Sequence, residues 1–196
     1  MNSKYEELKR QTNNVTSIWK ELRGFAPASV ADKMDGAKLR WMSELTDTLG
    51  IWMNKGTAMT DGELILARTN MGTLVESWLK FFYCVYYEDY IQQPKMIKSR
   101  KRGNVVIEPE KMSFETLKQF GIGILWEDQE NSMYKWVDKI QRYRNAIHAF
   151  QDRDIGSPQG FMDDIESLHV FVESIISRLP LIEDFHESYP AEYIFD

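Results

Sequence analysis

The chain has 196 residues, of which 43% are hydrophobic and 28% are charged, a composition typical of one globular domain rather than of a disordered segment. Its 24 basic and 30 acidic residues leave a formal net charge of −6, which argues against nucleic-acid binding unless positive charge is concentrated locally. The single cysteine, Cys84, rules out an intramolecular disulfide, and we interpret it as a small buried hydrophobe.

The segments that could direct the chain to a membrane lack the required apolar length. The first residues, MNSKYEELKRQ, contain no apolar signal core. The longest apolar run, residues 81–87, is much shorter than the ~18 residues of a membrane-spanning helix. We therefore expect a cytoplasmic protein that makes no membrane contact.

Apolar residues recur at spacings of three and four from the start of the chain, and this period predicts helices. The first helix is expected over residues 3–23, and Gly24 ends it. The second is expected to begin near Ser29 or Asp35 and to run to residue 54, and the pair Asp35-Gly36 could interrupt it.

The longest predicted helix spans residues 61–94 and has Asp61 as its N-cap. Apolar side chains surround most of its second half, so we expect it to be the central helix of a bundle. Glu76 lies within this helix and would need a polar partner if it were buried.

A basic segment, residues 94–112, breaks the helical pattern and contains a single β-like run, NVVIE. We predict an exposed loop here, with a small hairpin or a helix extension as alternatives. A run of charge is most often a solvated face, but this one supplies the local positive charge that the acidic chain otherwise lacks. The five basic residues are Lys95, Lys98, Arg100, Lys101 and Arg102.

Three further helical segments follow the basic loop. Ser113 caps a short helix, and a fifth helix begins at Asn131 or Ser132 and keeps its period to His148. Ser157-Pro158 is a typical N-cap and first-turn pair for a sixth helix, which stops at Pro180. The acidic tail, residues 181–196, shows no period.

These segments predict an all-α fold: a single helical bundle of about five or six helices with a basic loop insertion. One domain would cover residues 1–196, with N-terminal helices at 3–55 and the acidic tail at 181–196.

Common catalytic motifs are missing from the sequence, including the phosphate-binding glycine loops, the serine nucleophile elbow and paired C-x-x-C. Two E-x-x-H pairs, 166–169 and 183–186, match the spacing of helical di-iron sites. Pro180 lies between them, however, and the second pair falls in the tail without helical period. We therefore predict no metal and no cofactor.

The segment QRYRNAIHAF, residues 141–150, contains the candidate catalytic residues. On an α-helix Arg144 and His148 share one face and Asn145 is adjacent to the histidine, whereas Arg142 points away. A guanidinium binds phosphate oxygens and keeps its charge, and an imidazole can transfer a proton near pH 7. Arginine plus histidine is therefore a minimal metal-free set for cleaving RNA through a 2′,3′-cyclic phosphate.

The same residues have a purely structural interpretation. Arginine and histidine near a helix C-terminus complement the helix dipole and can cap the last carbonyl groups. Spacing alone favours this interpretation over catalysis.

An arginine followed after four to six residues by a histidine, late in an all-α chain and before a loop and a last helix, resembles the HEPN superfamily. The segment LARTNMGTLVESWLKFFY is similar to the long helix that these domains pack against the motif helix, so the resemblance covers about residues 60–180. It implies a homodimer whose motif helices face each other across a cleft. It also implies metal-independent endoribonuclease activity in toxin–antitoxin, abortive-infection or antiviral systems, although other members only bind or scaffold.

The resemblance implies a role for each motif residue. His148 would be the general acid and base, and Asn145 would orient it or hold a phosphate. Arg144 and Arg142 would bind phosphate; the family spacing favours Arg142, and the asparagine that follows favours Arg144. Glu76 could pair with an arginine or fix the imidazole tautomer.

The implied partners are RNA, guided by the basic loop, a second copy of the chain, and an antitoxin or other protein. Single-stranded RNA is the expected substrate, because its 2′-hydroxyl can swing into line with the phosphate. Two alternatives remain open: a non-catalytic helical interaction module, and nucleic-acid binding by the basic loop without cleavage.

Overall fold

The computed structural model describes residues 3–100, 103–148 and 152–181. The described chain is mostly helical, which confirms the all-α class. Its eight α-helices are α1 (Ser3–Trp19), α2 (Ala28–Gly36), α3 (Leu39–Lys55), α4 (Asp61–Val85), α5 (Tyr87–Gln92), α6 (Phe114–Phe120), α7 (Ser132–Arg144) and α8 (Pro158–Ile176). None of these helices is long and apolar enough to cross a lipid bilayer.

Helix α4 is the centre of the bundle. It packs against α3, α7 and α8, while α1 packs against α3 and α8. Val75, Trp78 and Leu79 on α4 are each at most 1% exposed. Since burial of one large aliphatic side chain stabilises a fold by about 1.5–3 kcal/mol, the apolar surface around α4 accounts for its central position.

Two predicted helices are each divided into two, which explains why the bundle has more helices than expected. The second predicted helix breaks after Gly36, where Ala37 is extended with φ −77° and ψ 150°. The third ends at Val85, and α5 follows directly. The first helix ends at Trp19 rather than at residue 23, because the chain turns before Gly24, whose φ is +89°.

Helix caps follow the local sequence, with one correction. Ser113 and Ser157 cap α6 and α8 by accepting backbone N–H groups, as predicted, and Asn131, one of the two expected starts of α7, caps that helix in the same way. The N-cap of α4 is Thr60, not Asp61. Thr60 and Glu63 form a reciprocal capping box, which satisfies two N–H groups where Asp61 alone would satisfy one.

The basic segment forms a small antiparallel hairpin of β1 (Lys98–Ser99) and β2 (Val105–Val106). The turn is made by Gly103 and Asn104, both with positive φ, a conformation that these two residue types tolerate. Lys98 and Arg100 are exposed. Lys101, Arg102 and the tail beyond residue 181 lie outside the described residues.

Candidate functional site

The predicted motif lies at the end of α7, where the helix changes form. The α-helix stops at Arg144, Asn145–Ile147 form a 3-10 turn, and His148 is extended with φ −88° and ψ 97°. The prediction that His148 shares an α-helical face with Arg144 is therefore wrong. Asparagine has low helix propensity and 3-10 turns are common at helix ends, which explains the change at Asn145.

Exposure distinguishes the motif residues. The His148 side chain is exposed, Asn145 is half-buried, and Ala146 between them is buried. The imidazole is thus accessible to a large substrate, and the turn that carries it is anchored to the bundle through Ala146.

An ion-pair cluster holds Arg144 against α4. A guanidinium nitrogen of Arg144 lies 2.7 Å from Glu76 Oε2, and the Lys80 ammonium lies 2.9 Å from Glu76 Oε1. The Glu76 side chain is only 12% exposed, whereas that of Arg144 is 34% exposed. One buried carboxylate therefore orients two cations toward the surface, a net positive arrangement that suits a phosphate.

The two arginines have different surroundings. The Arg142 side chain is 71% exposed and lies 3.3 Å from Asp138, one helical turn earlier. An exposed pair of this kind contributes little orientation. The structure therefore brings Glu76 together with Arg144 and leaves Arg142 on the solvent side of α7.

A second charged group, which was not predicted from the sequence, lies in the core beside the motif. Arg68 on α4 is 1% exposed, and its guanidinium lies 2.5 Å from Asp164 on α8. Asp164 also accepts hydrogen bonds from Trp136 at 2.8 Å and Lys139 at 2.6 Å, both on α7. Arg68 falls on the same apolar stripe of α4 as Leu64 and Met71. An arginine within an apolar stripe was the sequence feature that could have predicted this buried group.

Tyr143, which lies between the two motif arginines, packs against Arg68 on α4. Its ring lies 4.5 Å from the Arg68 guanidinium carbon, a cation–π contact in the core. Arg68 also donates to the carbonyl of Ile155, at 3.3 Å, in the loop before α8. The residue between Arg142 and Arg144 is thus structural, and it joins α7, α4 and the loop before α8.

The basic hairpin contacts the chain beyond the C-terminus of α4, whereas Arg144 packs near the middle of that helix. The Tyr90 hydroxyl, beyond the C-terminus of α4, donates to the Ile107 carbonyl at 2.7 Å, directly after β2. Arg144 packs instead against Gly72, near the middle of α4. The 13 residues from Gly72 to Val85 span about 20 Å at the rise of an α-helix. Lys95 is engaged locally, since it donates to the Ile122 carbonyl and lies 5.1 Å from the Phe120 ring.

A cavity of about 760 Å³ between α2, α3 and α4 adjoins the ion-pair cluster. Lys80 lines this cavity and also pairs with Glu76. Trp41, which is 57% exposed, and Lys38 also line the cavity. The cavity thus combines an aromatic surface with charges of both signs, since Asp32 and Glu110 also line it.

Comparison of the chain with models of known protein families, with curated protein sequences and with solved structures found no match in any of the three.

Proposed function

We propose that this protein is a metal-independent endoribonuclease of the HEPN type that cleaves RNA to a 2′,3′-cyclic phosphate, in a defence or toxin–antitoxin setting. The observation that carries the proposal is the Arg144–Glu76 ion pair of 2.7 Å, which positions a half-buried guanidinium four residues before an exposed histidine. A guanidinium that an ion pair already holds in position binds phosphate with little further loss of conformational freedom.

In the proposed reaction His148 removes the proton from the ribose 2′-hydroxyl. The 2′-oxygen then forms a bond to phosphorus, and the bond from phosphorus to the 5′-oxygen breaks. The imidazolium returns the proton to that 5′-oxygen. Arg144 stabilises the negative charge on the phosphoryl oxygens, and Glu76 holds the guanidinium in place.

The surface around the motif supports an RNA substrate and a second copy of the chain. Exposed Trp41 offers a face on which a base can stack, and Lys80 lines the same cavity. Ile147, next to His148, is 47% exposed. An exposed apolar side chain beside the motif histidine suits a face that a second protomer covers.

A second candidate function is a non-catalytic binding module. It is favoured by the neutralisation of Arg144 by Glu76 in the free protein, since a compensated guanidinium is a weaker phosphate ligand than an uncompensated one. This candidate predicts binding of a protein or RNA without any change in the RNA chain.

The deciding experiment incubates purified protein with single-stranded RNA in EDTA, beside a His148→Ala variant. We expect cleavage by the wild type, products that end in a 2′,3′-cyclic phosphate, and a loss of about 100-fold or more in the variant. Circular dichroism of both samples in EDTA would show that each is folded. Intact RNA in the wild-type sample would favour the binding module, and full activity of His148→Ala would overturn the mechanism.

A further inference from the structure

A group of polar side chains around a buried histidine joins α1 to α8. His169 on α8 is 0% exposed. Its Nε2 lies 3.5 Å from Oε2 of Glu7 on α1, and its Nδ1 lies 3.4 Å from Oε2 of Glu173, one turn further along α8. A histidine in the core of the interface therefore has a carboxylate at each ring nitrogen.

A neutral imidazole cannot satisfy this arrangement. It has one N–H and one nitrogen lone pair, so one of the two carboxylates would face a lone pair and be repelled. Neither ring nitrogen has a hydrogen-bond partner among the described residues. Since buried polar atoms almost always have a partner, a cation bound at one ring nitrogen, with the other nitrogen left as an N–H that donates to the carboxylate beside it, would satisfy the imidazole.

A further unpartnered atom lies beside the same group. Gln11 on α1 donates from Nε2 to Glu173 Oε1 at 3.4 Å. Its Oε1 is buried and has no hydrogen-bond partner in the described part of the chain. A neutral oxygen that can serve as a metal ligand is thus available near Glu173.

The distances suit a metal ion. One nitrogen of His169 and one oxygen from each glutamate all lie within 4.8 Å of one another. Tetrahedral Zn²⁺ holds its ligand atoms about 3.3 Å apart, close to the 3.5 Å between Nε2 and Glu7. The most distant pair of ligand atoms must approach by up to about 1.5 Å, and the side chains of Glu7 and Glu173, at 36% and 45% exposed, have room to move.

Other cations near Glu7 do not account for His169. Lys4 lies 4.0 Å and Arg10 lies 3.5 Å from Glu7, but their side chains are 51% and 70% exposed. Exposed pairs at a three-residue spacing contribute little stability and exchange readily for a stronger ligand. They also leave the two imidazole nitrogens unpartnered.

We propose that Glu7, His169 and Glu173 bind one divalent transition-metal ion, with Zn²⁺ the best match, and that this ion fastens α1 to α8. Two carboxylates and a neutral imidazole balance the charge of a divalent ion, and imidazole is a preferred ligand of Zn²⁺. The role is structural, since the ion joins residues 162 positions apart in the chain. Glu166, which forms the E-x-x-H pair with His169, is exposed and is not part of the group.

This site is separate from the proposed ribonuclease site. Asp164 lies on the side of α8 that contacts α4 and α7, whereas His169 contacts α1. The proposed RNA cleavage needs no metal, so Glu173→Gln protein is expected to cleave RNA like the wild type at temperatures where it is folded. The two proposals can therefore fail independently.

The test starts from protein stripped with EDTA and desalted. Adding Zn²⁺ is expected to raise the Tm by about 5–10 °C when free Zn²⁺ is a hundredfold above its Kd. Glu173→Gln and Glu7→Gln keep the size of the side chain and remove the ligand charge, so calorimetry should show at least about tenfold weaker Zn²⁺ binding. Glu166→Gln, on the same helix and exposed, is the matched control and should bind like the wild type.

Co²⁺ serves as a spectroscopic probe of the same site. Wild-type protein loaded with Co²⁺ should show visible absorption bands of a low-coordinate ion, and Glu173→Gln should lose them. A wild-type Tm that does not respond to millimolar Zn²⁺ would overturn the proposal, as would equal binding by Glu173→Gln and Glu166→Gln. A Tm that does not change with Zn²⁺ but falls as the pH is raised would indicate that a proton, rather than a metal ion, occupies the position. That result would also overturn the proposal.

Discussion

The aliphatic stem of Arg144 lies directly against the backbone of Gly72. A Cβ placed on Gly72 would be 2.5 Å from the Arg144 Cβ and 2.9 Å from its Cγ. Real Cβ atoms do not approach so closely, so only glycine permits this contact between α7 and α4. The contact brings the guanidinium within reach of Glu76.

Gly72→Ala should therefore destabilise the protein by about 1–3 kcal/mol, because the new methyl group must displace α7. The control is Gly62→Ala in the same helix, where a Cβ would meet nothing within 4 Å. That change should be neutral or should stabilise the helix by up to about 1 kcal/mol. Urea unfolding of the two variants measures the difference, and equal stability would contradict the close contact.

The geometry also predicts which arginine acts in the proposed ribonuclease. Arg144→Ala should lower kcat/KM for RNA by about 100-fold, since it removes the oriented guanidinium. Arg142→Ala should have a much smaller effect, because that side chain is 71% exposed and pairs with Asp138 one turn away in its own helix. A larger loss for Arg142→Ala than for Arg144→Ala would reverse the assignment.

Asp164→Asn should be strongly destabilising. It leaves the buried Arg68 guanidinium without its counter-charge, at a cost of about 3–5 kcal/mol. Asp163→Asn is the matched control, because the neighbouring Asp163 is exposed and accepts a hydrogen bond from Gln159 in its own helix. That substitution should change the free energy of unfolding by less than about 0.5 kcal/mol. Chemical denaturation of both proteins gives the comparison.

Cys84 should be inert in the folded protein. Burial, together with the Glu110 carboxylate, raises the pKa of its thiol to about 12 from an ordinary value of 9.0. Below pH 9 both states keep the proton, so the full stability is present there. As the pH rises from about 9 to 12 the unfolded chain loses the proton first, and the free energy of unfolding should fall.

Thiol modification at pH 8 checks this prediction. The native protein should react with a disulfide reagent far more slowly than the urea-unfolded protein, since the thiolate is the reactive form. Rapid labelling of the native protein would show that Cys84 is more accessible than the structure indicates.

The basic hairpin should contribute to RNA affinity without affecting the cleavage step. Replacing both Lys98 and Arg100 with alanine should reduce the slope of log affinity against log salt by about 0.7 for each RNA phosphate that the variant no longer neutralises. Single-turnover cleavage at saturating RNA should be unchanged, because the hairpin contacts Tyr90 beyond the C-terminus of α4, and that terminus lies about 20 Å along the helix from Gly72, against which Arg144 packs. An unchanged salt slope would show that the hairpin is not part of the RNA-binding surface.

Several local features were predictable because they depend on neighbours in the chain. The apolar period identified the helices, and Ser113, Asn131 and Ser157 marked helix starts, because a cap bonds to an N–H only two or three residues away. The end of α7 was not predictable from the same pattern. The period continues through Ile147, while the backbone changes to a 3-10 turn at Asn145.

By itself, the sequence determined the helical class, the central helix and the candidate residues Arg144 and His148, since periodicity and residue chemistry are properties of the chain alone. Only the tertiary structure decided the partners of the charged groups. Arg68 meets Asp164 across 96 positions, and His169 meets Glu7 across 162. Such pairs depend on how α1, α4, α7 and α8 pack together, and a helical period carries no information about which helices become neighbours. The pairing of Arg144 with Glu76 is of the same kind, because it requires the close approach of α7 to α4 that Gly72 permits.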